Sequence, residues 1–380
     1  MRKSTAASAV ATWELRLVGL IVVTLVAFGI VAVYGASSIW AVQEGSEGSF
    51  FAQRQLGGAL VGIMLLLVAT RIDYHVWQRN AWLILGAVVL VLIIPLLPFT
   101  EAISAPRNDA RRWVGVAPLV LQPSEFAKFA VVAWTAMLAA KKGTSIRSFK
   151  RGVLPFVVVL VPVCLLILGE PDLSTASLTI LLAAIVLFTA GARIGHFLVV
   201  AIVALPFAWQ WVVREGYGLQ RMMSFLGLGE NLADASWQIN QSLIGFGSGR
   251  LFGLGFGQGL QKLGYLPYAY SDFIFSTIGE EWGFVGVTLI VLLYAIFITI
   301  GLRIARNARD SFGMLLATGL TALIGLTALL HMAVTLSLAP ATGLSLPFVS
   351  YGRSNLLVSL FAVGVLVNIG GRGARQRTRS

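Results

Sequence analysis

DFIFSTIGEEWGFVGVTLIVLLYAIFITI, Asp272–Ile300, decides how the rest of the chain is read. From Phe284 to Ile300 it carries no charged residue. About 20 apolar residues in a helix suffice to cross a hydrocarbon core of about 30 Å. Three carboxylates come first: Asp272 at the edge, then Glu280 and Glu281 inside. An isolated charge at membrane depth is costly, so such groups are paired, protonated or turned to a wet cavity. On a helix entering at Asp272, Glu280 lies about 12 Å deeper. Asp272 is therefore the carboxylate within reach of a polar group at the membrane surface, and Glu280 and Glu281 are expected to shape a buried cavity.

Outward from this stretch the pattern repeats. Of 380 residues, 57% are hydrophobic and only 12% charged, far below the charge of a soluble chain. Ten runs are long and apolar enough to be read as spans: Arg16–Tyr34, Leu56–Thr70, Trp82–Leu97, Pro123–Ala140, Val153–Leu168, Leu173–Ala190, Ile194–Val213, Asp272–Ile300, Phe312–Leu336 and Asn355–Ile369. Lipid offers no partner to the backbone, so the expected fold is an all-α polytopic membrane protein. No fixed-period repeat or long linker divides it, and residues 1–380 are read as one domain. Met1–Thr12 could be mistaken for the start of a signal peptide, but with many later spans Arg16–Tyr34 is read as a retained first helix.

The net charge of +12 does not point to nucleic acid, because the basic residues gather in short linkers and the tail. With the N-terminus in the cytoplasm, seventeen linker and tail Lys and Arg fall inside and nine outside. Both termini are therefore expected in the cytoplasm, with a large extracytoplasmic loop, Arg214–Tyr270, between the seventh and eighth helices. A loop of that length usually carries function.

Four further segments concentrate polar groups. In NDARRWVGVAPLVLQPSEFAKFA (Asn108–Ala130), Pro123 suits a first helical turn and Glu125 is favoured there by the helix dipole. Glu125 and Lys128, three apart, share a face; they form either a structural ion pair or, with Arg111, Arg112 and Trp113, a site for an anionic headgroup. In GEPDLSTA (Gly169–Ala176), Glu170 and Asp172 stand at a tight outer turn, where Asp172 or Ser174 can cap the next helix. GFGSGRLFGLGFGQGLQKLGYLP (Gly245–Pro267) matches no nucleotide-binding pattern and is read as a flexible loop bringing Arg250 and Lys262 towards a phosphate. LAPATGLSLPFVSYGRSN (Leu338–Asn355) carries two prolines, which predicts an irregular turn packed against protein. No His, Cys and Asp cluster has metal-ligand spacing, and the lone Cys164 excludes an internal disulfide.

ARRWVG with QPSEFAKFA, then EPDLST, QKLGYLPYAYSDFIFSTIGEEWGFVG and TGLSLPFVSYG resemble, in order and across the chain, the SEDS family (shape, elongation, division and sporulation). ARRW and QKLGYLP lean towards its cell-division branch, the elongation branch being next. The resemblance implies a bacterial inner-membrane peptidoglycan glycosyltransferase of the inverting type, acting at the division septum. It would polymerise lipid II, the undecaprenyl-diphosphate-linked disaccharide peptide, on the outer face. A lipid II flippase and an elongation polymerase are the alternatives. It also implies a class B penicillin-binding protein and other divisome membrane proteins as partners.

Carried over by motif, Asp272 is the catalytic carboxylate. Arg111, Arg112, Trp113, Glu125, Lys128, Asp172, Arg221 and Lys262 are assigned to substrate, and Glu280, Glu281 and Ser350 to the structure of the cavity. No resident cofactor is assigned, although Mg or Mn could assist at the diphosphate. Tyr268, Tyr270, His331, Arg353 and Asn355 stand where the family usually has other residues.

Overall fold

The computed structural model describes residues 2–100, 104, 111–116, 119–215, 222–223, 225 and 233–377. Among these are twelve helices: α1 (Arg2–Gln43), α2 (Phe50–Arg71), α3 (His75–Arg79), α4 (Ala81–Ile93), α5 (Pro123–Lys142), α6 (Leu154–Gly169), α7 (Leu173–Thr189), α8 (Ile194–Glu215), α9 (Ala233–Gly249), α10 (Ile274–Arg306), α11 (Ser311–Thr335) and α12 (Arg353–Arg377). Ten of them coincide with the ten expected spans. Seven helical segments are long and apolar enough to cross a membrane; α4, with the turn to Leu96, and α7 are shorter apolar helices. α5 has the length but carries Glu125 and Lys128 near one end and Lys141 and Lys142 at the other.

Local signals set the helix starts. Pro123 opens α5 where its missing N–H costs nothing. Asp172 caps α7 by accepting from Thr175 N, and Asp310 caps α11 by accepting from Gly313 N. α11 and α12 form the centre of the bundle, with most of their apolar length enclosed by protein. α8 is the opposite case: only 6% of its apolar window is buried, so nearly its whole surface is left for lipid.

At one end of the bundle the short linkers are tied together by charge. Arg372 Nη1 lies 2.8 Å from Asp73 Oδ2, and His75 bridges Asp73 at 2.8 Å and Asp310 at 3.3 Å. Tyr74 donates its hydroxyl to Asp310, and Arg303 approaches Glu14 at 3.6 Å. Every one of these groups falls on the side that the charge count assigns to the cytoplasm.

Arg214–Tyr270 does not stand free of the bundle over its described second half. It contains α9, which pairs with α10 through Ser276 Oγ donating to Ser242 O at 2.7 Å. Ser242 Oγ in turn donates to Thr335 O at the end of α11, at 2.7 Å. The glycine-rich stretch after α9 is not a flexible phosphate loop either. Leu254 N and Gly255 N donate to Glu280 O and Glu281 O at 2.9 and 3.1 Å, while Phe284 N and Val285 N donate to Arg250 O and Leu251 O at 2.9 and 3.1 Å.

α10 is broken at Gly283, whose φ of 65° suits glycine, and the loop supplies partners to the backbone groups freed there. The glycines serve close backbone approach. A second departure from all-α is a small antiparallel hairpin, β1 (Val114–Val116) with β2 (Leu119–Leu121).

Orientation is tested with single cysteines in a Cys164→Ala background. Glu47, exposed between α1 and α2, should react as Cys with an impermeant maleimide on intact spheroplasts; Cys at the exposed Ser145, after α5, should react only after lysis. The opposite pattern would reverse the topology.

Candidate functional site

The hairpin assembles the first part of the site. Val114 pairs with Leu121, so Trp113 and Gln122 leave it side by side. Arg112, next in line, donates from Nε to Glu170 O at 2.8 Å and from Nη2 to Pro171 O at 2.6 Å, fixing the turn between α6 and α7. Gln122 Nε2 reaches Asp172 Oδ2 at 3.0 Å. Asp172 also accepts from Thr175 N at 3.0 Å and Thr175 Oγ1 at 2.8 Å. Its assignment to substrate is therefore corrected: this acceptor is spent on capping α7 and holding Gln122.

Glu170 shares that turn but does not cap α7. It is fully enclosed, and neither carboxylate oxygen has a hydrogen-bond partner among the described residues. Burial, with Asp172 adding to it, pushes its carboxyl up to about 9, against the weaker pull of Arg112. Glu170 is thus a neutral acid at physiological pH.

The second part lies at the start of α5. Lys128 Nζ donates to Glu125 Oε1 at 2.8 Å, and Asn355 Nδ2 donates to Glu125 Oε2 at 3.1 Å. Lys128 is 0% exposed, which decides between the two readings of this pair. Lys128 gives its charge to Glu125 inside α5, and it is Glu125 that ties α5 to α12 through Asn355. The expectation for Lys128 and Glu125 is corrected accordingly.

Asp272 precedes α10 by two residues and is partly open to solvent. It sits in a turn with Asp272 N donating to Tyr268 O at 3.0 Å, not on the helix itself. The LPFVSY stretch holds this turn. Ser350 Oγ donates to Ser271 O at 2.7 Å and accepts from Leu346 N at 2.8 Å, and Tyr351 N donates to Tyr270 O at 3.0 Å. Tyr270 packs on Phe51 and Tyr351, with ring centroids 4.6 and 5.7 Å away. Ser350 thus holds the residue next to Asp272.

Deeper along α10, Glu281 pairs with Lys262 at 3.1 Å, and Glu280 accepts from Leu260 N at 2.8 Å and more loosely from Gln261 N. All three side chains are buried. Glu280 and Glu281 are thus enclosed, each with a donor. That Lys262 binds a diphosphate is corrected, since its charge is committed to Glu281. Arg111 and Trp113 remain half-buried at the mouth beside Arg112. Arg221 lies outside the described residues. Among the described residues no group of three or more His, Cys, Asp or Glu is arranged to hold a metal ion.

Set against known proteins, residues 15–373 match the sequence profile of the FtsW/RodA/SpoVE family, described as cell cycle proteins. A probable peptidoglycan glycosyltransferase FtsW of Trichlorobacter lovleyi is 43% identical over 92% of this chain and 91% of its own length. Stage V sporulation protein E of Bacillus subtilis is 37% identical over 92% of this chain and 95% of its own. The rod shape determining protein RodA of Thermus thermophilus has the same fold, with a TM-score of 0.68 at 25% identity, covering 93% of this chain and 95% of that one. A chain of a peptidoglycan synthase complex that coordinates polymerization and crosslinking superposes with a TM-score of 0.75 at 23% identity, covering 96% of this chain and 98% of that one.

Two stability measurements follow from the buried charges. Lys128→Met leaves Glu125 in a closed site with only Asn355 and should cost about 3–5 kcal/mol; adding Glu125→Leu should recover most of it in thermal unfolding in detergent. For Glu170, the raised carboxyl means that its contribution to stability is complete below its ordinary value of 4.5 and is lost as pH rises towards about 9. Glu170→Gln should flatten that loss across the same interval, and an unchanged pH profile would contradict the buried acid.

Proposed function

The chain belongs to the FtsW/RodA/SpoVE family of cell cycle proteins, and from that membership we infer that it is a peptidoglycan glycosyltransferase of the bacterial inner membrane, polymerising lipid II. The observation that supports a chemical role for one residue is the placing of Asp272. It is a carboxylate at the mouth, partly open, on a turn held by Ser350 and Tyr351.

The reaction asks little more of the protein than this. An acceptor sugar hydroxyl attacks the anomeric carbon of the donor, its proton passes to Asp272 Oδ, and the bond to the diphosphate breaks with the electron pair leaving on phosphate. A diphosphate departs as a stabilised anion without a strong general acid, so one base suffices, unlike the paired carboxylates of ordinary glycosidases. Attack opposite the leaving group inverts the anomeric centre. Arg111, Arg112 and Trp113 are the groups we assign to the headgroup. Arg112 has further guanidinium N–H groups beyond the two that hold Glu170 O and Pro171 O, and charge growing on the diphosphate is stabilised by donors already in place.

A transport role would need polar groups lining the inner halves of the spans. Instead the buried Thr179, Thr318, Thr321 and Thr327 turn their hydroxyls back to carbonyls of their own helices, at 2.6–2.9 Å. Polymerisation at the outer surface is the better reading. The structural neighbour from a synthase complex supports a class B penicillin-binding protein as partner, and the FtsW relatives support work at the septum with other divisome proteins.

Asp272→Asn keeps the shape and removes the proton acceptor. In purified protein supplied with lipid II, with and without a transpeptidase partner, it should bind substrate yet polymerise about 10²–10⁴-fold more slowly. Near-normal glycan synthesis would sink the assignment, and loss of binding together with activity would make Asp272 an anchor for substrate.

A further inference from the structure

His331 lies one turn before the end of α11, 59 residues from Asp272 in the chain, and is 1% exposed. Its Nδ1 is 2.7 Å from Leu344 O. A carbonyl only accepts, so Nδ1 carries the proton and the ring is a neutral donor with its lone pair on Nε2. That second nitrogen is enclosed and has no hydrogen-bond partner among the described residues. A packing role alone would not require an imidazole with one nitrogen left unsatisfied; the bond to Leu344 O is what the residue supplies.

The bond acts on a piece of backbone beside the reacting carboxylate. Residues 339–346 form neither helix nor strand, so their position depends on contacts made by side chains. Immediately before Leu344 stands Gly343, with φ 68°, and a Cβ built there would be 3.6 Å from Asp272 Oδ2. The positive φ suits glycine, and the main chain passes the carboxylate at van der Waals distance. Two residues after Leu344, Leu346 N is held by Ser350 Oγ, which also donates to Ser271 O next to Asp272. The segment flanking Asp272 is therefore held at 346 by Ser350 and at 344 by His331.

We propose that His331 is a positioning residue for Asp272: by holding Leu344 O it keeps the Gly343 backbone against the carboxylate and so fixes the direction in which Asp272 meets the acceptor hydroxyl. This rests on the reading of Asp272 as the base. A misplacement of about 1 Å in a reacting group can cost about 100-fold in rate without weakening substrate binding, and that is the signature to look for. The ring itself exchanges no proton in the reaction.

The test is steady-state lipid II polymerisation in proteoliposomes by wild type, His331→Leu, His331→Asn and Asp272→Asn. His331→Leu removes the donor and should lower kcat about 10- to 100-fold, with KM within about twofold of wild type. His331→Asn puts an amide N–H close to the place of Nδ1 and should recover most of kcat, with the pH profile of wild type. Should His331→Leu fail to fold, the Asn variant and His331→Gln, whose amide reaches past the carbonyl, supply the same comparison: Asn active and Gln impaired supports the proposal. Wild-type kcat in His331→Leu, or an Asn variant as slow as the Leu variant while melting like wild type, overturns it. An active Asp272→Asn overturns instead the base on which it rests, and an inactive one beside a normal His331→Leu rejects the positioning role alone.

Discussion

A carboxylate that enters the apolar part of a membrane protein must be met by a donor, because water is not there to serve it. In this chain every donor but Lys128 comes from another segment. Glu281 is met by Lys262, Glu280 by the backbone N–H groups of Leu260 and Gln261, and Glu125 by Lys128 and Asn355. The contacts to Leu260, Gln261 and Lys262 draw into the bundle a segment that its own polarity would have left outside. The path of residues 249–263 follows from this constraint: the loop is pulled along α10 by two glutamates, and the break at Gly283 gives its backbone groups partners in return.

The same constraint organises the other half of the site through one short stretch. Ser350 and Tyr351 hold the turn that carries Asp272; Ser354 accepts from Gln122 N at 2.8 Å, and Asn355 binds Glu125. Six residues thus join the turn before α10 to the start of α5, and through Gln122 and Asp172 to α7. Tyr270, where the family usually has another residue, has a definite place here, packed between Phe51 and Tyr351.

Much of the site was legible residue by residue. Asp172 could be read as a cap because it directly precedes an apolar run and a short side chain there reaches the free N–H groups. Glu280 and Glu281 could be read as buried and structural from helical depth alone. What misled was counting basic residues at the mouth. Lys128 and Lys262 carry the right charge on the right side, but their partners, Glu125 and Glu281, leave neither free for a phosphate. Glu170 gave no signal: a carboxylate at a turn is ordinarily solvated, and only packing under Arg112 closes it off.

Hydrophobic length, charge asymmetry and helix-start residues are local or one-dimensional properties, and the sequence by itself determined what depends on them: a polytopic helical protein, the positions of ten helices and the carboxylate at the mouth. The contacts that select partners were decided only in three dimensions. That α9 packs along α10, that a hairpin sets Trp113 beside Gln122, and that His331 reaches across thirteen residues to Leu344 O all depend on which segments share a level in the bundle. No local propensity encodes that, because the energy of each such pairing belongs to two segments at once and exists only when both are in place.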